Sequence, residues 1–154
     1  MATVSELLEL ARLQIGVKEC PPSSNNVRYN TWYYGREVSG RAYPWCMVFV
    51  QWVFAQVGVA LPLRTASCGA LMRAAKAAGQ WVEADYKPGD VVIYDFPGGA
   101  ATDHCGIVER VTEGGVVAIE GNTGSGSDAD GGQVQRRSRA FSVIVGAVRA
   151  RDLM

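Results

Sequence analysis

Histidine is almost missing from this chain of 154 residues: His104 is the only one. The four cysteines, Cys20, Cys46, Cys68 and Cys105, include no closely spaced pair, so the pattern of a zinc knuckle is absent. Charge of one sign is missing too, because 15 basic residues balance 15 acidic ones. That balance removes the electrostatic argument for nucleic acid or an anionic membrane as a partner. No stretch reaches the roughly 18 apolar residues of a membrane span. The start, MATVSELLELARLQIG, carries acids where a signal peptide carries bases before a long apolar run. The expectation is a protein made in the cytoplasm without a signal peptide, and without membrane contact. In such a reducing compartment a structural disulfide is the less favoured use of the cysteines, which are therefore judged singly.

What is present is enough for a core. Hydrophobic residues make up 48% of the chain, and its length suits one domain spanning 1–154. Thr3-Val4-Ser5-Glu6 fits a capping box, and Val4, Leu7, Leu8, Ala11 and Ile15 follow the helical period as far as Gly16. The stretch from Lys18 to Arg41 contains Pro21, Pro22, Asn25, Asn26 and Gly35 and reads as loop. Its rings Tyr29, Trp32, Tyr33 and Tyr34 suit either a loop pinned to the body or a ligand contact. A second helix, from about Trp45 to Val57, is apolar on nearly every side, the mark of a buried central helix. A third runs from Ser67 to Ala78 between a capping serine and Gly79. After Lys87-Pro88-Gly89-Asp90 the pattern turns to strands: VVIYDF, GIVERV, VVAIE, VQRR and VIVGAV. Helices first and an antiparallel sheet after them make an α+β class.

The stretch AYPWCMVFVQW places Cys46 just after Pro44, in the first turn of the apolar helix. Unpaired N–H groups and the helix dipole there favour a thiolate, the reactive form of cysteine. The backbone N–H of Cys46 also suits an oxyanion. The other reading is a buried structural cysteine. A nucleophile needs a base, and His104 opens a strand after a loop with Gly98, Gly99 and Asp103. A lone histidine is also commonly structural. Glu120 and Asn122 end the next strand, in AIEGNTG, where either could orient an imidazole or merely be solvated.

PWCMVFVQW, PGDVVIYD, DHCGIVERV and AIEGNTG, in that order, resemble the CHAP domain family. The resemblance extends over nearly the whole chain. It implies a papain-like fold, N-terminal helices packed on an antiparallel sheet, and a cysteine, histidine-dependent amidohydrolase or peptidase acting on bacterial peptidoglycan. By position it implies Cys46 as nucleophile, His104 as general base and then acid, Glu120 as the group orienting the histidine, and Asn122 as an assisting polar residue. Tyr43 and Trp45, on either side of Pro44, are candidate substrate contacts.

Some relatives bind calcium through an acidic loop before the cysteine. Here that region is ECPPSSNNVRYN, with too few acids, and Ser127-Asp128-Ala129-Asp130-Gly131 lacks a closing carboxylate. No metal and no cofactor are therefore expected. The expected function is hydrolysis of an amide bond, by an N-acetylmuramoyl-L-alanine amidase or a stem or cross-bridge endopeptidase. The expected setting is a phage-type lysin, monomeric, acting on the wall after release. The alternatives are a cysteine acyltransferase, an amidase on a soluble peptide conjugate, and a non-catalytic domain that binds wall peptides. The catalytic set also makes a demand on register. His104, Glu120 and Asn122 share a face only with a three-residue loop, Glu113-Gly114-Gly115, with Val108 opposite Glu120, or with an equivalent bulge. A glycine at positive φ is expected there.

Overall fold

The computed structural model describes residues 2–97, 104–124 and 131–154. Gly98, Gly99 and Asp103 before the histidine, and Ser127 to Asp130 of the second glycine-rich loop, lie outside the described residues. Helix α1 (Val4–Leu13) starts where Thr3 accepts a hydrogen bond from the Glu6 N–H at 3.1 Å. Such a cap stabilises a helix by ~1 kcal/mol. The aromatic stretch expected as loop is helical instead. Helix α2 (Arg28–Tyr34) ends at Gly35, whose φ of 76° suits a residue without Cβ. No side chain caps its start at Val27, so local chemistry gave it no N-terminal signal. Tertiary packing holds it: the buried Tyr29 ring meets Trp45, Phe49 and Trp52, and its hydroxyl donates to Gln14. The anchored reading of the ring cluster thus applies to Tyr29.

Helix α3 (Cys46–Val57) stops at Gly58 and is buried over most of its circumference. Helix α4 (Cys68–Ala78) is capped by Ser67, which accepts from the Ala70 N–H, and stops at Gly79. Six antiparallel strands follow: β1 (Trp81–Val82), β2 (Val91–Tyr94), β3 (His104–Val111), β4 (Gly115–Thr123), β5 (Gln133–Ala140) and β6 (Ile144–Val148). Their order across the sheet is β1-β6-β2-β3-β4-β5. The α+β arrangement of helices on an antiparallel sheet is as expected.

Both faces of the sheet are covered. Val91, Ile93, Cys105, Ile107 and Ile119 pack with the helices, while Val92, Tyr94, Val108, Val116 and Ala118 form a second cluster on the other side. Gly121 lets α3 approach β4, because a Cβ there would lie 2.6 Å from the Phe49 Cβ.

The β3–β4 register meets the parity demand by the bulge, the alternative to a three-residue loop. Val111 pairs with Val116 and the Thr112 N–H bonds to the Gly115 carbonyl, which leaves Glu113-Gly114 as a two-residue turn. A bulge between Val108 and Arg110 then shifts the ladder, so that Val108 faces Ala118 and Ile107 faces Ile119. The expected three-residue loop and the Val108–Glu120 pairing are therefore corrected, and neither Gly114 nor Gly115 has positive φ. The bulge supplies the extra residue, Glu109, whose carboxylate is held by Arg12 and Arg136. It puts Glu120 on the face of Gly106, where a Cβ would lie 2.6 Å from the Glu120 side chain.

Candidate active site

Cys46 is the first residue of α3, with Trp45 at the N-cap and Pro44 just before it, and it is 8% exposed. His104 is the first residue of β3 and is wholly buried. It pairs with Tyr94 of β2 in register, and the Tyr94 ring stacks on the imidazole at 5.8 Å. The His104 Nε2 lies 2.9 Å from Glu120 Oε1. A carboxylate can only accept, so Nε2 carries the proton and Nδ1 is left facing no oxygen or nitrogen partner.

Behind the glutamate stands a residue the sequence reading missed. Arg139 of β5 donates from Nε to Glu120 Oε2 at 2.9 Å and from Nη2 to Oε1. Its guanidinium lies over the rings of Tyr94 and Phe96. The run QRRSR reads as solvent-facing in sequence, and nothing local distinguishes its last arginine. Only a sheet covered on both faces turns Arg139 inward.

The charges of this chain support one another. Burial favours a neutral Glu120, yet the bonds from Arg139 and then His104 hold its carboxyl below the usual range. Burial also opposes the imidazolium, but interactions with Cys46 and Glu120 outweigh it and raise His104 from 6.5 to about 9. Hydrogen bonds from Cys105 and Cys68 hold the Cys46 thiol well below its ordinary range against burial, and His104 adds to the effect. These directions favour a buried series of alternating sign: thiolate, imidazolium, carboxylate, guanidinium. Each ion alone would cost several kcal/mol to bury, whereas the alternating set sums to zero.

Asn122 stands apart from this series. It has φ of 57°, its Oδ1 accepts from the Gly132 N–H at 3.1 Å, and its Nδ2 is buried without a hydrogen-bond partner. In this structure it ties β4 to the start of β5. Tyr43 is half-buried against Tyr34. Trp45 needs correction as a substrate contact: it is fully buried, stacks on Tyr29 and donates through Nε1 to Glu19. Its indole is part of the core under α3.

The cysteines, judged singly in sequence, are not single in space. The sulfurs of Cys46, Cys68 and Cys105 lie within 4.8 Å of one another, with Cys46 and Cys68 3.9 Å apart. Their separation in sequence hid this group. Cys20 is exposed, and none of the four forms a disulfide.

A family model for the CHAP domain matches residues 38–122, a span that contains Cys46, His104, Glu120 and Asn122. The chain belongs to the CHAP domain family. No curated protein matches it. Among solved structures, the CHAP chain is similar in fold to the wild-type endolysin LysIME-EF1, with a TM-score of 0.56 and 16% identity over 97% of this chain and 65% of that one. It is similar also to Ly7917, with a TM-score of 0.55 and 16% identity over 97% of this chain and 62% of that one. Ly7917 with the hydrolyzing product of MDP gives a TM-score of 0.55 and 16% identity, over 96% and 63% of the two chains. The chain thus spans just under two thirds of the length of these proteins.

Proposed function

We propose that this CHAP chain hydrolyses an amide bond of bacterial peptidoglycan through a Cys46–His104–Glu120 thiol mechanism. The observation that carries the reading is the placement of Cys46 as the first residue of α3, with His104 held through Nε2 by Glu120 at 2.9 Å, within a CHAP fold. Among the solved structures of similar fold, one is an endolysin and another holds the hydrolyzing product of MDP.

The Cys46 thiolate adds to the substrate carbonyl, and the first-turn N–H groups of α3 face the oxyanion. The imidazolium of His104 gives its Nδ1 proton to the leaving amine, and a thioester remains. Neutral His104 then takes a proton from water, which attacks the thioester and releases the acid. Throughout, Glu120 fixes the ring by accepting from Nε2, and Arg139 fixes Glu120. Arg139 is thus a positioning residue two hydrogen bonds removed from the imidazole.

The test is clearance of a cell-wall suspension by the purified chain, followed by mass spectrometry of the released fragments. New muramoyl and alanine ends identify an amidase, and new ends within the stem or bridge identify an endopeptidase. No new ends at all, with a folded chain and an intact thiol, would sink the proposal.

A further inference from the structure

We propose that Cys46, Cys68 and Cys105 form a binding site for a soft, thiophilic cation held three-coordinate by their sulfurs, with Cu(I) as the fitting ion. Occupation would withdraw the thiolate that the proposed hydrolysis uses, so the inhibitory consequence rests on that reading while the binding itself does not.

The argument is first one of distance. A metal–sulfur bond of about 2.3 Å places three sulfurs around a planar three-coordinate ion about 4.0 Å apart. The Cys46–Cys68 separation is 3.9 Å, and all three sulfurs fall within 4.8 Å of one another. A disulfide would instead need two sulfurs to close to about 2.05 Å. The spacing is that of ligands around an ion rather than of a bond about to form.

The second argument is electrostatic. Cys46 is the first residue of α3 and Cys68 the first residue of α4, so two helix N-termini converge on the sulfurs. Each supplies unpaired N–H groups and the positive end of a dipole, which favours thiolates. Cys105 comes from β3, directly after His104, and closes the third side. The three sulfurs therefore face one another from three separate elements.

The third argument concerns which cation. Three sulfurs with no oxygen donor select a soft ion, Cu(I) or Zn(II). Zinc strongly prefers a fourth ligand. The imidazole of His104 is close, but its nitrogens are not part of the sulfur group, and Nε2 is held by Glu120. A three-coordinate ion fits this set better than a tetrahedral one. All three sulfurs are buried, which excludes the water that a harder ion would retain.

The experiment is an anaerobic titration of the full chain with Cu(I) supplied as its bicinchoninate complex, without any cell wall present. One Cu(I) per chain should leave the coloured chelate. Cys46→Ala, Cys68→Ala and Cys105→Ala should each weaken uptake on the order of a hundredfold or more, since even outer-shell partners are worth about 10–100-fold. Cys20→Ala should bind as wild type does. Copper should also block iodoacetamide at Cys46 until a stronger chelator removes it. Circular dichroism melts of the variants separate loss of ligand from loss of fold, and wild type alkylated beforehand at Cys46 gives a second, mutation-free arm.

No uptake by wild type would overturn the site, as would uptake indifferent to both Cys68→Ala and Cys105→Ala. Zn(II) bound as tightly as Cu(I) and lost in His104→Ala would replace the three-sulfur site by a four-ligand one. Because uptake is read without substrate, its failure leaves the hydrolase proposal standing, and the converse also holds.

Discussion

The two faces of the sheet around β3 and β4 are both buried, yet they are built from opposite chemistry. On the helix side, Cys105 and Ile107 meet α3, and the sulfurs of Cys46, Cys68 and Cys105 lie together. On the other side, His104 and Glu120 are locked to Arg139 by charged hydrogen bonds beneath Tyr94 and Phe96. His104 and Cys105 are neighbours in sequence and point to opposite faces, as strand geometry demands. The sulfur side is adaptable, since thiols pack as small apolar groups and tolerate loss of a partner. The charged side is not, because removing one member leaves another buried and unpaired. The proposed chemistry needs both, with the thiol tuned from one face and the imidazole oriented from the other.

That difference can be broken by mutation. The largest effect belongs to Cys46→Ala, which removes the proposed nucleophile; wall hydrolysis should fall by roughly 10⁴-fold or more with the fold intact. Near wild-type clearance would end the covalent mechanism.

Arg139→Met comes next. It leaves the Glu120 carboxylate buried with only His104 for company, a change worth about 3–5 kcal/mol of stability. Chemical denaturation measures it, and a loss under about 1 kcal/mol, the scale of a surface pair, would mean the guanidinium is not part of the buried series. On the sulfur side, Cys105→Ala should cost less than Arg139→Met.

Glu120→Gln should lower kcat/KM by about 10²-fold, less than His104→Ala, because the glutamate orients the ring whereas the histidine moves the proton. Equal losses would assign Glu120 a direct chemical role.

The pH profile sharpens the contrast between the faces. Activity needs thiolate and imidazolium together. It should fall at low pH as Cys46 takes up its proton, and at high pH as His104 loses its own near about 9. Cys105→Ala removes the first of the bonds that depress Cys46, so only the acid limb should move, upward. A shift of the alkaline limb instead would mean that the two faces are not separable.

The smallest effect is local. Gly121→Ala puts a methyl 2.6 Å from the Phe49 Cβ and should destabilise by about 1–3 kcal/mol while leaving the pH limbs in place. A neutral result in thermal melts would show that α3 can retreat from β4 at no cost.

The local signals in the chain determined a good deal of this protein. Thr3, Ser67, Gly58 and Gly79 mark helix ends by chemistry that acts within one turn, so α1, α3 and α4 were legible. Pro44 before Cys46 marked the helix mouth for the same reason, and the order of the four motifs pointed to the CHAP family. Tertiary structure alone decided the rest. The seven residues of α2 lack a capping side chain and are helical because Tyr29 is buried against three other rings. The face of Glu120 depended on a bulge at Glu109 held by two arginines distant in sequence. The inward turn of Arg139, and the meeting of Cys46, Cys68 and Cys105, join residues from separate elements. Capping and periodicity act over a few residues and can be read locally; the pairing of buried charges and sulfurs depends on where distant elements come to rest.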